Sequence, residues 1–367
     1  MRNDLTKISQ ERDSNIELLR LVAMFFILCH HFINNSLFDI QAGAHKELTT
    51  EYGVYSLLEG FLYVGVNCFL LISGYYGIKL RARKLWSMYL QLGFYGVSCY
   101  LIEALLFHKP ITHTVFTKSI FILSHPCWWF VAYFLLLMFL SPWLNSAIRQ
   151  MSKKQYQFAL LGFTFVQIYL GWFWQKTCYD PNGYSILNFI YLYVIGGYIG
   201  RFCHKERIVS FRWGALTFYI LCAIIWGMCN ILKLYINVPF GNNYGYNNPV
   251  VLLAAVFLFM FFLSFSFQNR IVNWLASGAF AAYLITDTPY VGYHMYEQYH
   301  QVIDSMRLHL WQIISITTLS AAVVLMSCCC VDTLRAWMMK PLLSTFDWID
   351  RKWNNGKVLD DEKVSYK

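Results

Sequence analysis

The sequence predicts an all-α fold, a polytopic integral membrane helical bundle of about ten transmembrane helices with both termini cytoplasmic. Three observations carry that prediction. Apolar runs long enough to cross a bilayer recur along the chain. Only 13% of residues are charged against 57% hydrophobic, and Lys and Arg alternate between the two sides of the runs. A bilayer core needs about 20 apolar residues per helix, and soluble domains carry roughly 25% charged residues. The 367 residues therefore do not make two or three soluble domains.

The N-terminal tail, 1–14, is polar, too long and too acidic for a signal-peptide n-region, and no small-residue cleavage site follows it. The first span, 15–37, is thus expected to stay in the protein. The remaining spans read 53–76, 85–107, 120–145, 156–175, 184–202, 213–236, 249–267, 271–293 and 309–331, each bounded by charged or Pro/Gly/Asn-rich breaks. The domain reading is a cytoplasmic tail 1–14, a transmembrane domain 15–331 and a cytoplasmic tail 332–367.

Orientation follows from the connections. The N-terminal tail, the even-numbered loops and the C-terminal tail hold 22 Lys and Arg; the odd-numbered loops, from Lys46 to Arg307, hold 6. Such an excess marks the cytoplasmic face. The formal charge of +9 reflects this placement and an affinity for membrane lipids, not nucleic acid. Most of the eleven Cys lie inside apolar spans with no CxxC pair or Cys/His ligand spacing, so no metal site is expected. Walker A, GxSxG, HExxH, EF-hand and GxGxxG patterns have no plausible setting. No internal repeat emerges, which weighs against a transporter built from duplicated halves.

Polar residues inside the spans are the candidates for chemistry, because they are costly in lipid and usually face a protein-lined cavity. In the first span Arg20 and His31 lie eleven positions apart. Eleven steps of 100° leave them about 20° apart around a helix and roughly 16 Å apart along it. His31 can move protons near neutral pH; its neighbour His30 points about 100° away. Arg20 is either a snorkelling boundary residue or a fixed charge for phosphate. Lys79, Arg81, Arg83 and Lys84 follow the Gly-punctuated end of the second span and could form a basic mouth with Arg20. Pro126, Trp128 and Trp129 mark the outer entrance of the fourth span, as an interface anchor or a platform for sugar rings. Asp287 lies in the ninth span beside Pro289, as a functional carboxylate that could orient His31 or as the polar cap of a broken helix.

In these motifs the chain resembles the membrane-bound acyltransferase family 3, bacterial ten-span O-acetyltransferases of surface polysaccharides and peptidoglycan. The resemblance rests on Arg20-x10-His31, FLLISGYY at 69–76, CWWFVAYFLLLMFLSPWLN at 127–145 and YLIT at 283–286. It implies transfer of an acyl group, usually acetyl, from cytosolic acetyl-CoA to a glycan hydroxyl outside the bacterial inner membrane. It implies a catalytic His31, aided by Asp287, and donor binding by Arg20, Arg81, Arg83 and Lys84. Trp128, Trp129 and His30 are then candidates for the acceptor. The partners implied are acyl-CoA, a glycan acceptor and membrane lipids, with a homo-oligomer or a separate extracytoplasmic partner both compatible. Two departures stand out: Thr286 replaces the family's frequent late histidine, and the basic loop reads Arg81-Ala-Arg-Lys84. The competing reading is a polysaccharide or lipid-linked-sugar transporter or flippase.

Overall fold

The computed structural model describes residues 12–37, 49–121, 127–176, 180, 182–235, 244–344 and 346. The N-terminal tail through 11, Lys46, Pro126 and the tail from 347 lie outside the described residues. Among the described residues all regular structure is helical. The helices are α1 Ser14–Phe32, α2 Thr50–Leu62, α3 Gly65–Tyr76, α4 Ala82–Leu106, α5 His113–Ile120, α6 Trp129–Gln150 and α7 Lys153–Thr164. They continue as α8 Ile186–Phe202, α9 Lys205–Ser210, α10 Arg212–Leu232, α11 Pro249–Leu263, α12 Arg270–Thr286, α13 Val291–Ser305 and α14 Leu310–Ser344. Wider π turns extend α1 through Ile33–Leu37 and α7 through Phe165–Phe173.

The ends follow local chemistry. Thr49 accepts from the Tyr52 amide, Asn269 from the amides of Ile271 and Val272, and Ser152 forms a reciprocal box with Gln155. Asn248 caps α11, with Pro249 at its first position, where a missing N–H costs nothing.

Among the described residues six helical stretches are long and apolar enough to cross a membrane: Ser14–Leu37, Thr50–Tyr76, Ala82–Leu106, Trp129–Gln150, Arg212–Leu232 and Leu310–Ser344. Ile186–Phe202 and Pro249–Leu263 are apolar but shorter. All ten expected segments meet helices among the described residues, with three differences: the second, 53–76, is α2 and α3 on either side of a turn at 63–64, and two lie further along. The ninth, 271–293, is two helices, because α12 ends at Thr286 and α13 restarts at Val291 around Pro289, which has no amide to donate. The tenth runs on past 331 to Ser344, so no break separates 331 from 332. Asp332 is buried there, accepting from Arg335 Nε at 2.6 Å and from the Tyr95 hydroxyl at 2.8 Å, which ties α14 to α4.

The packing places α1 inside the bundle, against α12, α3, α14, α11 and α2. Beside it α3 and α8 meet through glycines. A Cβ at Gly74 would stand 2.0 Å from the Tyr193 carbonyl oxygen, and one at Gly196 2.2 Å from that of Leu71. Lipid tails are as apolar as Leu, so close backbone contact between small residues is what holds such helices together. The result surrounds the C-terminal half of α1 with protein on most sides.

Candidate active site

Met24, Ile27, His30 and His31 of α1 form one wall of a cavity enclosing about 560 Å³ of space, mouth included. The steps from 20 to 24, 27 and 31 are four, three and four residues, so Arg20 begins the stripe that His31 ends. Arg20 itself does not line the cavity. It is ion-paired with Glu17, and its side chain keeps 31% of its exposure.

The opposite walls are aromatic. Tyr63, in the turn between α2 and α3, stacks on Tyr246 (centroids 4.8 Å apart, planes at 5°) and on Trp226 (5.4 Å, 17°). Trp129 extends the stack over Tyr246 at 5.6 Å. The Tyr63 hydroxyl donates to the Tyr244 carbonyl at 2.6 Å, which fixes the ring. Offset and stacked rings of this kind are rigid and exclude water.

One carboxylate stands behind His30, outside the cavity lining. Glu59, near the end of α2 and fully buried, places Oε2 2.5 Å from His30 Nδ1. Its other oxygen accepts from Asn34 Nδ2 at 3.1 Å, and the same amide donates to the His30 carbonyl at 3.2 Å. Asn34 reaches both because it sits in the π turn that widens the end of α1, a distortion often found at functional sites. Asn34 Nδ2 also stands 2.9 Å from this nitrogen, a contact the amide donates only to an unprotonated Nδ1; in the tautomer with Nδ1–H donated to Glu59, the lone pair of His30 is on Nε2, the arrangement in which a carboxylate orients a general base.

His31 is held differently. Its ring lies 5.6 Å from that of His30 and edge-on to Tyr296 at 6.4 Å, and its buried Nδ1 has no hydrogen-bond partner. Two imidazoles thus face one cavity, one anchored by a carboxylate and the other among apolar and aromatic groups.

The other expected residues divide. Lys84 lies within electrostatic reach of both Arg20 and Arg81, so three of the four basic candidates gather at the N-terminal end of the α1 stripe. Arg83 is exposed on the first turn of α4. Trp129 lines the cavity, whereas Trp128 is fully buried in the core with Phe32, Tyr95 and Val131, so no sugar ring can stack on it. Asp287 caps α12 and opens into a separate recess with Thr288 and Tyr296; among the histidines it acts electrostatically on His30. The carboxylate that orients a histidine is therefore Glu59 on His30, where the sequence suggested Asp287 on His31. Thr286 donates to the Ala282 carbonyl at 2.8 Å and serves its own helix.

Glu59, Tyr63 and Tyr246 escaped sequence reasoning. Glu59 had a usable signal, an acidic residue inside an apolar span. The two tyrosines had none in a chain with 26 of them. Among the described residues no group of three or more His, Cys, Asp or Glu side chains could hold a metal ion.

A family model for an acyltransferase domain, that of acyltransferase family 3, matches residues 13–332, nearly the whole chain. No curated protein and no solved structure matches it.

Proposed function

The chain belongs to acyltransferase family 3, and from that premise we propose that it is a membrane O-acetyltransferase. In this reading it moves acetyl from cytosolic acetyl-CoA to a hydroxyl of a surface or lipid-linked glycan. The observation that carries the proposal is that both α1 histidines line one aromatic cavity on the stripe that starts at Arg20, with the buried Glu59 set against His30.

The chemistry needs three things. Donor phosphates need fixed cations, which Arg20, Arg81 and Lys84 supply at the end of α1 assigned to the cytosol; Arg83 stands beside them. The acyl group must travel inward, and the roughly 16 Å from Arg20 to His31 is comparable to a pantetheine arm. The reacting atoms need a base that can carry charge without water.

His30 suits that role, because Glu59 stabilises the imidazolium formed when Nε2 takes the hydroxyl proton. The acceptor oxygen then attacks the thioester carbonyl, and the departing CoA thiolate recovers a proton from His30. His31, whose Nδ1 has no hydrogen-bond partner, lines the same cavity and is placed to polarise the thioester. The aromatic walls exclude water, which would otherwise hydrolyse the donor. Inner-membrane location in a bacterium, ten crossings and cytoplasmic termini complete the reading, in line with the Lys and Arg distribution.

The test is transfer in nanodiscs, with purified protein, radiolabelled acetyl-CoA and extracted surface polysaccharide. His30→Ala is expected to lower transfer by about 10²–10⁴-fold, the usual weight of a residue that carries the proton. Full transfer by a folded His30→Ala protein removes that residue from the mechanism; glycan movement without acetyl-CoA consumption removes the proposal.

A further inference from the structure

We propose that the polar recess at the α12–α13 break is the acceptor subsite of this reaction, selective for neutral or amine-bearing saccharides over carboxylated or phosphorylated ones. The inference rests on the acyl-transfer reading and adds to it the charge class of the acceptor.

The recess encloses about 1220 Å³, roughly twice the space of the histidine cavity. It exists because α12 stops at Thr286 and the chain turns through Asp287, Thr288 and Pro289 before α13 begins. Its lining offers what a sugar ring uses: the Asn35 amide, two carboxylates on Asp287 and Glu297, and the exposed ring of Tyr293.

Tyr296 joins the two spaces. It lines the recess while its ring stands edge-on to His31. It is 4% exposed, and the polar group that its hydroxyl meets inside the protein is Thr286. A tyrosine hydroxyl can accept as well as donate, so a ligand hydroxyl entering the recess can bond it alongside Thr286. The sugar hydroxyl that bonds Tyr296 is thereby delivered beside the imidazoles.

Charge sets the selectivity. Among the described residues no Lys or Arg lines the recess. His300 donates Nδ1–H to the Ser36 carbonyl at 2.5 Å, and Glu297 lies 3.5 Å from His294 Nδ1. The neighbouring cation, Lys109, is held by Glu103 at 2.6 Å. Two carboxylates with no facing cation repel an anionic sugar and attract an amine, and specificity of this kind is built by repulsion as much as by contact.

The experiment uses the nanodisc-embedded protein and three soluble hexamers: N-acetylglucosamine (neutral), glucosamine (amine-bearing) and galacturonate (acidic). Binding is read by calorimetry and transfer by acetyl label. The neutral and amine hexamers are expected to bind at least about tenfold more tightly than the acidic one. In an Asp287→Asn, Glu297→Gln double variant that gap is expected to close to about threefold. Tyr296→Phe, which keeps the ring, is expected to weaken neutral binding by about three- to tenfold with the acetyl-CoA KM unchanged. Equal binding of the acidic hexamer, or a gap untouched by the double variant, overturns the inference. Transfer without charge discrimination leaves the acetyltransferase reading standing and sinks only the subsite. Discriminating, Tyr296-dependent binding with no transfer supports the subsite and sinks the reaction.

Discussion

Glu59→Gln isolates the one charge that separates His30 from an ordinary buried imidazole. The substitution keeps the volume and the acceptor oxygen, so Nδ1–H still has a partner and the tautomer is retained. What disappears is the negative charge 2.5 Å from the ring. Hydrogen bonds to charged groups contribute about 1.5–3 kcal/mol. If that stabilisation is realised on the imidazolium in the transition state, then at about 1.4 kcal/mol per tenfold kcat falls by roughly 10–150-fold. The donor KM should not move, because Arg20, Arg81 and Lys84 are untouched.

Folding should survive the change. Glu59 is fully buried, and a neutral amide costs less to bury than a carboxylate. The assay is steady-state transfer in nanodiscs with separate donor and acceptor titrations, alongside a thermal melt. A folded Glu59→Gln protein whose kcat stays within about threefold of the parent would show that the carboxylate does not act on proton transfer, and the assignment of His30 as base would fall.

Four further outcomes follow from the same geometry. Arg20→Ala should raise the acetyl-CoA KM by about tenfold with little change in kcat, the pattern of lost ground-state binding, and a kcat effect alone would contradict its role. Trp129→Ala should reduce transfer while the protein stays folded, whereas Trp128→Ala should cost about 3–5 kcal/mol of stability, read in a melt. Gly74→Val should abolish the monodisperse peak in detergent chromatography, since its Cβ would lie 2.0 Å from a backbone oxygen. Partial desolvation pushes the Cys127 thiol up to about 11 although the residue itself is exposed. Its maleimide labelling, followed by peptide mass spectrometry, should therefore rise about tenfold per pH unit from 7 to 10, and a flat profile would contradict that.

What the sequence disclosed and what it hid differ by kind of interaction. Helix existence was legible because an apolar run in lipid has little alternative to a helix, since every backbone group must be satisfied internally. The Arg20–His31 stripe was legible because 100° per residue is a local rule. Glu59 to His30 was not, since a 29-residue separation closes only through the way α2 packs beside α1. The same holds for Trp128 and Trp129: adjacent identical side chains point to different places, and only the neighbours of α6 decide which one meets the cavity. The break at Pro289 was visible as a residue. Its consequence, a recess whose carboxylate acts on His30 and not His31, needed the return of α13.

The charge along α1 also bears on why a polyanionic donor would react without entering the bilayer. Cations cluster near Arg20, while the far end holds Glu59 and, beyond Tyr296, Asp287 and Glu297. Phosphates are attracted to the first region and repelled by the second, and in a low-dielectric interior both effects are stronger than in water. Between them the stripe presents Met24 and Ile27, which offer nothing to a phosphate and suit an uncharged pantetheine arm. For the acyl-CoA donor proposed above, the gradient would sort one molecule by its parts, retaining the nucleotide at the basic end while its thioester reaches the imidazoles. Moving a positive charge inward along the stripe, as in Met24→Lys, should draw the nucleotide too deep or block the arm. Measured as a rise in donor affinity with a fall in kcat, that outcome would support the sorting; unchanged kcat with the lysine in place would count against it.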